Sequence, residues 1–292
     1  MFEALTQIGL PIALILIMTG VGMTLRPANF TEVARQPKAF FVGALAQLLL
    51  LPVTALLVIY LFDLQAELAV GLFILALCPG GTTSNLYSYL AKADVGLSVA
   101  LTALVGFVTP FSLPLLTAWA IEHFLGENTS FQLPLLKTWL TLMLVGVVPV
   151  LLGMWFNFKW PAGSARIQPL ISRFSVLVLV LLIISIATDL GSDLWLFLQK
   201  TGPAALALNI LTMAAGYWSG LWLLRQQKQA RTICLEVGLQ NGTLALMITT
   251  GILQNSAMSI APSVYSLLMF LTASMFTFWV LRKDAPQSSG AV

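Results

Sequence analysis

Two stretches of the chain decide its architecture: LALCPGGTTSN at residues 75–85 and CLEVGLQNGT at residues 234–243. Each places glycines and polar side chains in the middle of an otherwise apolar run. In the first stretch, Pro79 cannot donate a backbone hydrogen bond, and the two glycines after it disfavour a helix. Unpaired backbone at membrane depth is tolerated only where it faces protein or a wet cavity. The two stretches therefore predict two broken helices, around Asn85 and Asn241, a feature typical of secondary transporters.

The composition around these stretches is that of a membrane protein. Hydrophobic residues make up 59% of the 292 residues and charged residues 9%, against roughly 45–50% and about 25% in soluble domains. Since a spanning helix needs about 20 mostly apolar residues, we predict an all-α membrane domain over residues 1–292 with nine transmembrane helices in the lipid bilayer. Their approximate ranges are 5–24, 39–61, 66–91, 94–121, 131–157, 169–190, 202–224, 229–255 and 262–281. The basic residues form no patch interleaved with aromatics, so we expect no nucleic-acid partner.

The distribution of basic residues predicts the orientation. Of the 14 lysines and arginines, all except Lys137 and Lys200 fall on the same side of the nine predicted helices. Because positive charge is retained on the cytoplasmic side, we expect the N-terminus outside an inner (plasma) membrane. The C-terminus, including the polar tail 283–292, is then cytoplasmic. Residues 8–23 lack the basic flank and cleavage site of a signal peptide and are interpreted as a retained helix.

The two broken helices also suggest an internal repeat. An offset of 156 residues superposes Asn85 on Asn241 and Cys78 on Cys234. The same offset places predicted helices one to four over six to nine, and the second copy enters the membrane from the opposite side. This pattern indicates inverted-topology repeats with the fifth helix unpaired.

The polar residues at the breaks point to cation and anion binding. Glu236 is the only carboxylate well inside a predicted span, and such a residue costs about 2.5–3.5 kcal/mol on insertion scales. The Ser, Thr, Asn and Gln side chains beside it offer neutral oxygens, which suit alkali and alkaline-earth cations rather than transition metals. A broken helix adds freed carbonyls for a cation and, near residues 82–85, N–H groups for an anion. A protonated or hydrogen-bonded structural glutamate is the alternative, and His123, at an outer helix end, is interpreted as structural.

Four motifs in this order resemble the bile acid:sodium symporter family: AQ at 46–47, CPGGTTSN at 78–85, YLAKADVGLSVALT at 89–102 and EVGLQN at 236–241. The resemblance extends over essentially the whole chain and places its start at the family's second helix, which gives a nine-helix form. It also implies a core domain of about residues 39–121 and 202–281. A panel domain of about residues 5–24 and 131–190 packs against that core.

The resemblance assigns residues to two sodium ions and to the substrate. One ion is expected on the side-chain oxygens of Ser84, Asn85, Ser98, Thr102 and Glu236. The other is expected between the side chains of Gln47, Glu236 and Gln240 and the backbone carbonyls of Val237 and Leu239. Substrate contacts, which vary within the family, are expected at Thr82 and Asn241.

These observations predict a sodium-coupled symporter of an organic anion, either bile-acid-like or a small carboxylate such as pantoate. Two sodium ions beside one ionised Glu236 leave a local charge of about +1, which a monovalent anion offsets. We expect a monomer with sodium as its only metal and no cofactor. A metalloid efflux carrier that uses Cys78 is an alternative within transport. An intramembrane enzyme is the alternative from another class, but the sequence offers no nucleophile–base set at membrane depth.

Overall fold

The computed structural model of the protein describes residues 9–26, 31, 34–64, 66–126 and 135–284. The predicted helix ends at 5–8 and 131–134 and the tail beyond 284 lie outside the described residues. Within the described ranges, the regular elements are helices, joined at one point by an isolated β-bridge. The helices are α1 Leu10–Thr24, α2 Pro37–Leu61, α3 Ala66–Leu77, α4 Thr82–Leu90, α5 Val95–Leu125, α6 Leu135–Lys159, α7 Pro161–Leu190, α8 Asp193–Leu224, α9 Gln227–Gly238, α10 Gly242–Ile252 and α11 Ala257–Asp284.

The lengths and apolar surfaces of these helices are those of a multi-pass membrane protein. Five of them, α2, α5, α6, α8 and α11, are long and apolar enough to cross a membrane, and α1, α3 and α10 are shorter apolar helices. Large apolar side chains such as Phe158 and Trp222 are exposed on the outside of the bundle. Such a surface is stable against lipid and unfavourable against water.

Two helices begin earlier than the sequence predicts. The segment predicted at 169–190 belongs to a helix that starts at Pro161, and the segment predicted at 202–224 belongs to one that starts at Asp193. Both predicted segments were started just after charged residues, Arg166 and Lys200. Arginine and lysine are good helix formers, and their long side chains can reach the membrane surface from inside a helix. The boundaries were therefore wrong by about two turns.

The two predicted helix interruptions are confirmed, and they are paired with each other. Helix α3 ends at Leu77 and α4 begins at Thr82, while α9 ends at Gly238 and α10 begins at Gly242. Between them, two extended segments cross antiparallel, with Gly80 opposite Gln240. The Gly81 N–H donates to the Leu239 carbonyl at 2.8 Å, and the Asn241 N–H donates to the Pro79 carbonyl at 3.0 Å. Each break thus satisfies backbone groups of the other; we call this pairing of residues 79–81 with 239–241 the crossing.

The crossing corrects the predicted register of the two halves. Positions 80 and 240 face each other, and the helix starts at 82 and 242 follow, so the two breaks are related by 160 residues. The predicted offset of 156, which matched Asn85 with Asn241 and Cys78 with Cys234, was wrong by four residues. Four residues are about one helical turn, so both registers put nearly the same helix faces together. The hydropathy pattern therefore does not distinguish an offset of 156 residues from one of 160.

Outside the crossing, two sets of helix contacts are the most extensive. Helix α1 packs against α6 and α7, and α8 packs against α9 and α11. The contact between α1 and α6 is backbone to backbone: a Cβ atom on Gly22 would overlap the Val150 carbonyl, and one on Gly153 would overlap the Thr19 carbonyl. Small residues at such positions allow helices in lipid to approach closely.

Candidate ion-binding and transport site

Glu236 lies directly beside the crossing. Its side chain is 2% exposed and comes from the last turn of α9. One carboxylate oxygen accepts a hydrogen bond from the Ser98 hydroxyl at 3.0 Å, and the other accepts one from Thr102. Ser98 and Thr102 are one turn apart on α5, so the same helix face supplies both donors.

Close approach of the backbone explains one glycine of the predicted break. A Cβ atom on Gly80 would lie 2.5 Å from the Glu236 Oε1 atom and 3.0 Å from its Cδ atom. A larger residue would therefore displace the carboxylate. From the sequence, Gly80 was expected only to break the helix.

The start of α4 completes the first predicted sodium set. The Ser84 hydroxyl lies 3.5 Å from the Thr102 hydroxyl and donates to the Gly81 carbonyl at 2.7 Å. The amide oxygen of Asn85, the next residue, is buried and has no hydrogen-bond partner. A buried acceptor left unpaired costs about 1–3 kcal/mol. The structure thus links four of the five predicted side chains by hydrogen bonds and leaves the fifth with a free acceptor, an arrangement that fits a cation.

The second predicted set is also brought together, on the other side of the same helix end. The Gln47 Nε2 atom donates to the Gln240 Oε1 atom at 2.7 Å and to the Cys78 carbonyl at 3.1 Å. The Gln240 Nε2 atom donates to the Val237 carbonyl at 2.7 Å. Gln47 lies in a π-helical turn, Ala46–Leu50, inside α2; such turns are frequent at functional sites.

The carbonyls at the end of α9 are all engaged. Those of Glu236 and Val237 accept from the Gln240 amide at 3.3 and 2.7 Å, and that of Leu239 accepts from the Gly81 N–H. The Leu239 carbonyl, predicted as a sodium ligand, therefore retains one lone pair for that role. The amide N–H group of Gln240 occupies the position from which a cation would contact the Glu236 and Val237 carbonyls.

Both predicted substrate residues line a cavity beside the crossing. Thr82 is the first residue of α4, and Asn241 caps α10 by accepting the Leu244 N–H at 3.0 Å. The cavity has about 1000 Å³ of empty space, part of it open to the outside. Its far wall is apolar and includes Met18 of α1 and Val150 of α6. Its polar lining residues are uncharged: Thr82, Thr83, Thr102, Thr109, Gln240, Asn241 and Thr243.

The structure identifies polar residues that the sequence analysis did not single out. The carbonyl of Gly238, the last residue of α9, accepts hydrogen bonds from Asn209 of α8 and Tyr265 of α11. Arg231, counted in the sequence only as a cytoplasmic charge, is 4% exposed and forms a two-bond ion pair with Asp284 at 2.7 Å. None of these residues belongs to a recognisable motif, because their partners are backbone atoms or lie far along the chain.

Other kinds of site receive little support from the described residues. Among them, no group of three or more His, Cys, Asp or Glu side chains is placed to hold a metal ion. Cys78 and Cys234 are both free and buried, and the Cys78 thiol donates to the Ile74 carbonyl of its own helix at 3.3 Å. His123 lies at the end of α5, stacked on Trp119.

The amino-acid sequence also matches known proteins. The model of the sodium bile acid symporter family matches residues 11–194. The uncharacterized sodium-dependent transporter YocS of Bacillus subtilis is 30% identical over 282 residues, which cover 94% of this chain and 84% of the relative. The probable chloroplastic sodium/metabolite cotransporter BASS1 of Arabidopsis thaliana is 29% identical over 276 residues, which cover 94% of this chain and 67% of the relative. The human ileal sodium/bile acid cotransporter is 28% identical over 278 residues, which cover 94% of this chain and 79% of the relative. The resemblance carried by the four motifs is confirmed, and the chain belongs to the sodium bile acid symporter family.

Proposed function

We propose that the protein is a sodium-coupled symporter that carries an organic anion through the cavity beside the crossing. The environment of Glu236 carries this proposal. A buried carboxylate in its ionised form needs a positive partner, and in the described structure its two oxygens accept hydrogen bonds from the neutral hydroxyls of Ser98 and Thr102. A small cation supplies that missing charge.

The first sodium ion would lie among Ser84, Asn85, Ser98, Thr102 and Glu236. All five offer oxygen atoms, and the Asn85 oxygen has no other use in the structure. Hard cations prefer such oxygen ligands. On binding, the hydroxyl protons that point at the carboxylate would turn away, so that the hydroxyl oxygens face the ion.

The second sodium ion would lie between Gln47, Gln240 and the carbonyls at the end of α9. Rotating the two amides exchanges N–H donors for oxygen acceptors without moving the helices. The amide oxygens and the Val237 carbonyl would then contact the ion, with the Leu239 carbonyl contributing its remaining lone pair. Glu236 is adjacent to this site as well as the first, so both ions share its charge.

The substrate proposal rests on the cavity. Thr82 and Asn241 stand at the starts of two helices, where N–H groups and the helix dipole favour negative charge. The apolar walls suit the organic part of a carboxylate such as a bile acid or pantoate. Two sodium ions that move together with one monovalent anion carry a net charge of about +1 across the membrane. Uptake is then coupled to the membrane potential at about 2.3 kcal/mol per 100 mV.

The wider architecture follows from the same proposal. Nine spans in inverted repeats would place the N-terminus outside the plasma membrane and the C-terminus in the cytoplasm. Alternating access would come from movement of the core helices, α2 to α5 and α8 to α11, against the panel helices α1, α6 and α7, since the cavity lies between these groups. We expect a monomer that uses sodium as its coupling ion and needs no cofactor.

Thermal unfolding of the purified protein tests this function. Bile acids, pantoate and other carboxylates are screened in sodium and in choline at equal ionic strength. We expect an anion that raises the melting temperature only in sodium, because a ligand that binds only the folded protein stabilises it by mass action. Ser98→Ala should weaken the sodium response. Ser112→Ala, on the same helix but away from the carboxylate, should not. If neither sodium nor any anion stabilises the wild type, the symporter proposal is wrong.

The metalloid alternative makes a different prediction. It requires the Cys78 thiol, which the structure bonds to its own helix. We expect Cys78→Ala to keep sodium-dependent stabilisation and anion uptake. Loss of arsenite efflux in that variant, with sodium without effect on either protein, would favour the efflux carrier.

A further inference from the structure

The carbonyl of Gly238 receives an unusual share of the buried hydrogen-bond donors around the crossing. The Asn209 Nδ2 atom donates to it at 2.9 Å and the Tyr265 hydroxyl at 3.1 Å. Both side chains are 0% exposed, and they come from different helices, α8 and α11. A carbonyl oxygen has two lone pairs, so these two donors saturate it.

The corresponding carbonyl at the other break is held differently. Cys78 lies 160 residues before Gly238, the same separation as between Gly80 and Gln240, which face each other in the crossing. The two carbonyls therefore occupy corresponding positions in the two breaks. The Cys78 carbonyl accepts from the Gln47 amide at 3.1 Å, and that amide also donates to Gln240. Gln47 can exchange its donor for an acceptor when an ion arrives. Gly238 is instead held by an amide and a phenol that are not among the proposed sodium ligands.

The position of the Gly238 carbonyl restricts the directions of the carbonyls before and after it in the chain. Leu239 is extended, with φ −105° and ψ 90°. Each peptide unit is planar, so holding the Gly238 carbonyl fixes the 238–239 peptide plane. Only one φ/ψ pair separates that plane from each of the Val237 and Leu239 carbonyls. A Cβ atom on Gly238 would overlap Met213, so the backbone of the break lies directly on α8. Asn209 and Met213 are one turn apart on that helix and hold the same residue from one face.

We infer that Asn209 and Tyr265 are positioning residues for sodium binding: by holding the Gly238 carbonyl they aim the Val237 and Leu239 carbonyls at the ion. This inference rests on the proposed function. Neither residue contacts the ion in this account. Their effect is to keep the site's oxygen atoms at a spacing that suits sodium, and ion preference depends on cavity size and the rigidity of the ligands.

Tyr265→Phe is the main test because it removes one hydroxyl and keeps the ring. Its matched control is Tyr60→Phe, which removes a phenol hydroxyl bonded to His123 at 2.5 Å, far from the crossing. Asn209→Leu is the second test. Asn157→Leu is its control, because Asn157 is a buried amide that donates to the Leu25 carbonyl at 3.0 Å in the panel group.

Three quantities are measured for each protein by thermal unfolding: the melting temperature without sodium, the sodium concentration for half-maximal stabilisation, and the ratio of that concentration to its lithium equivalent. We expect Tyr265→Phe and Asn209→Leu to raise the sodium midpoint about three- to tenfold, as loss of one hydrogen bond predicts. The lithium preference should change with it. The control substitutions can lower the sodium-free melting temperature, but they should leave the sodium midpoint and the lithium ratio unchanged.

Two results overturn the inference in distinguishable ways. If Tyr265→Phe lowers the sodium-free melting temperature but leaves the sodium midpoint and the lithium ratio unchanged, the two residues serve stability alone and the proposed function stands. If the wild type shows no sodium response, the proposed function itself fails and the inference falls with it. Should Asn209→Leu not fold, Tyr265→Phe decides the matter by itself.

Discussion

Replacing Glu236 by glutamine is the most informative single change, because it keeps the shape of the side chain and removes its charge. In the structure, the carboxylate is almost fully buried and accepts hydrogen bonds from Ser98 and Thr102. A glutamine offers one oxygen and one NH₂ group in their place. Either hydroxyl can rotate to accept a hydrogen bond from the NH₂ group, so the local network can be rebuilt.

The sodium-free protein should therefore tolerate the change. Hydrogen bonds to charged groups contribute about 1.5–3 kcal/mol and neutral ones about 0.5–1.5 kcal/mol, so two weakened bonds cost about 2 kcal/mol. Removing an uncompensated buried charge offsets that loss, since a charge held out of water carries a penalty of several kcal/mol. We expect the melting temperature of Glu236→Gln without sodium to be equal to that of the wild type or higher.

The sodium response should be lost. At an effective dielectric constant of about 20, unit charges about 4 Å apart attract by about 4 kcal/mol, which corresponds to nearly a thousandfold in affinity. Sodium at about 100 times its dissociation constant stabilises the folded wild type by about 2.7 kcal/mol. In Glu236→Gln the same concentration lies below the dissociation constant and should stabilise the protein by less than about 0.5 kcal/mol.

The assay is thermal unfolding across a sodium titration at constant ionic strength, with Glu122→Gln, an exposed carboxylate at the end of α5, as the matched control. The control should follow the wild type. If Glu236→Gln keeps a sodium-dependent rise in melting temperature with a midpoint within about twofold of the wild type, this carboxylate does not bind sodium and both proposed ion sites are wrong.

Other substitutions test the packing that surrounds the site. Gly80→Ala should abolish sodium stabilisation, because its Cβ atom would lie 2.5 Å from the carboxylate; Gly202→Ala, with no atom within 4 Å of the added carbon, should leave sodium stabilisation unchanged in the same assay. Gly22→Ala should lower the melting temperature by an amount equivalent to 1–3 kcal/mol or more, roughly the cost of overpacking, and an unchanged melting temperature would contradict the close contact of α1 with α6. Asp284→Asn leaves the buried Arg231 guanidinium without its charged partner and should destabilise the protein by about 1–3 kcal/mol, measured as a lower melting temperature in both sodium and choline.

The sequence predicted the parts of the fold that depend on backbone chemistry. Pro79 and the glycines after it disfavour a helix, and α3 ends at Leu77, just before them. Glu236 was identified because a carboxylate inside an apolar span is costly wherever it lies. Its hydroxyl partners on α5 could be assigned only through the family motif, because nothing in the spacing of two distant segments says that they meet.

The remaining features depend on three-dimensional contacts that leave no local pattern. The register of the two halves was missed because a shift of one turn keeps the same helix faces inward. Asn209 and Tyr265 were missed because the atom they hold is a backbone carbonyl, which every residue has. Arg231 was counted only as a cytoplasmic charge because its partner Asp284 lies more than fifty residues away.

The crossing also constrains how the protein can be made. Its two hydrogen bonds join segments 160 residues apart, and a chain grows at about 5–20 residues per second, so the first break waits about 8–30 s for the second. During that interval the Gly81 N–H lacks the Leu239 carbonyl and the Pro79 carbonyl lacks the Asn241 N–H. Backbone groups left unpaired in lipid cost several kcal/mol each. A nascent chain that ends before α9 should therefore keep α3 and α4 out of their final position, held at the membrane surface or by the insertion machinery. We expect insertion of the first half into the bilayer to be complete only once synthesis of the second half has supplied its partner.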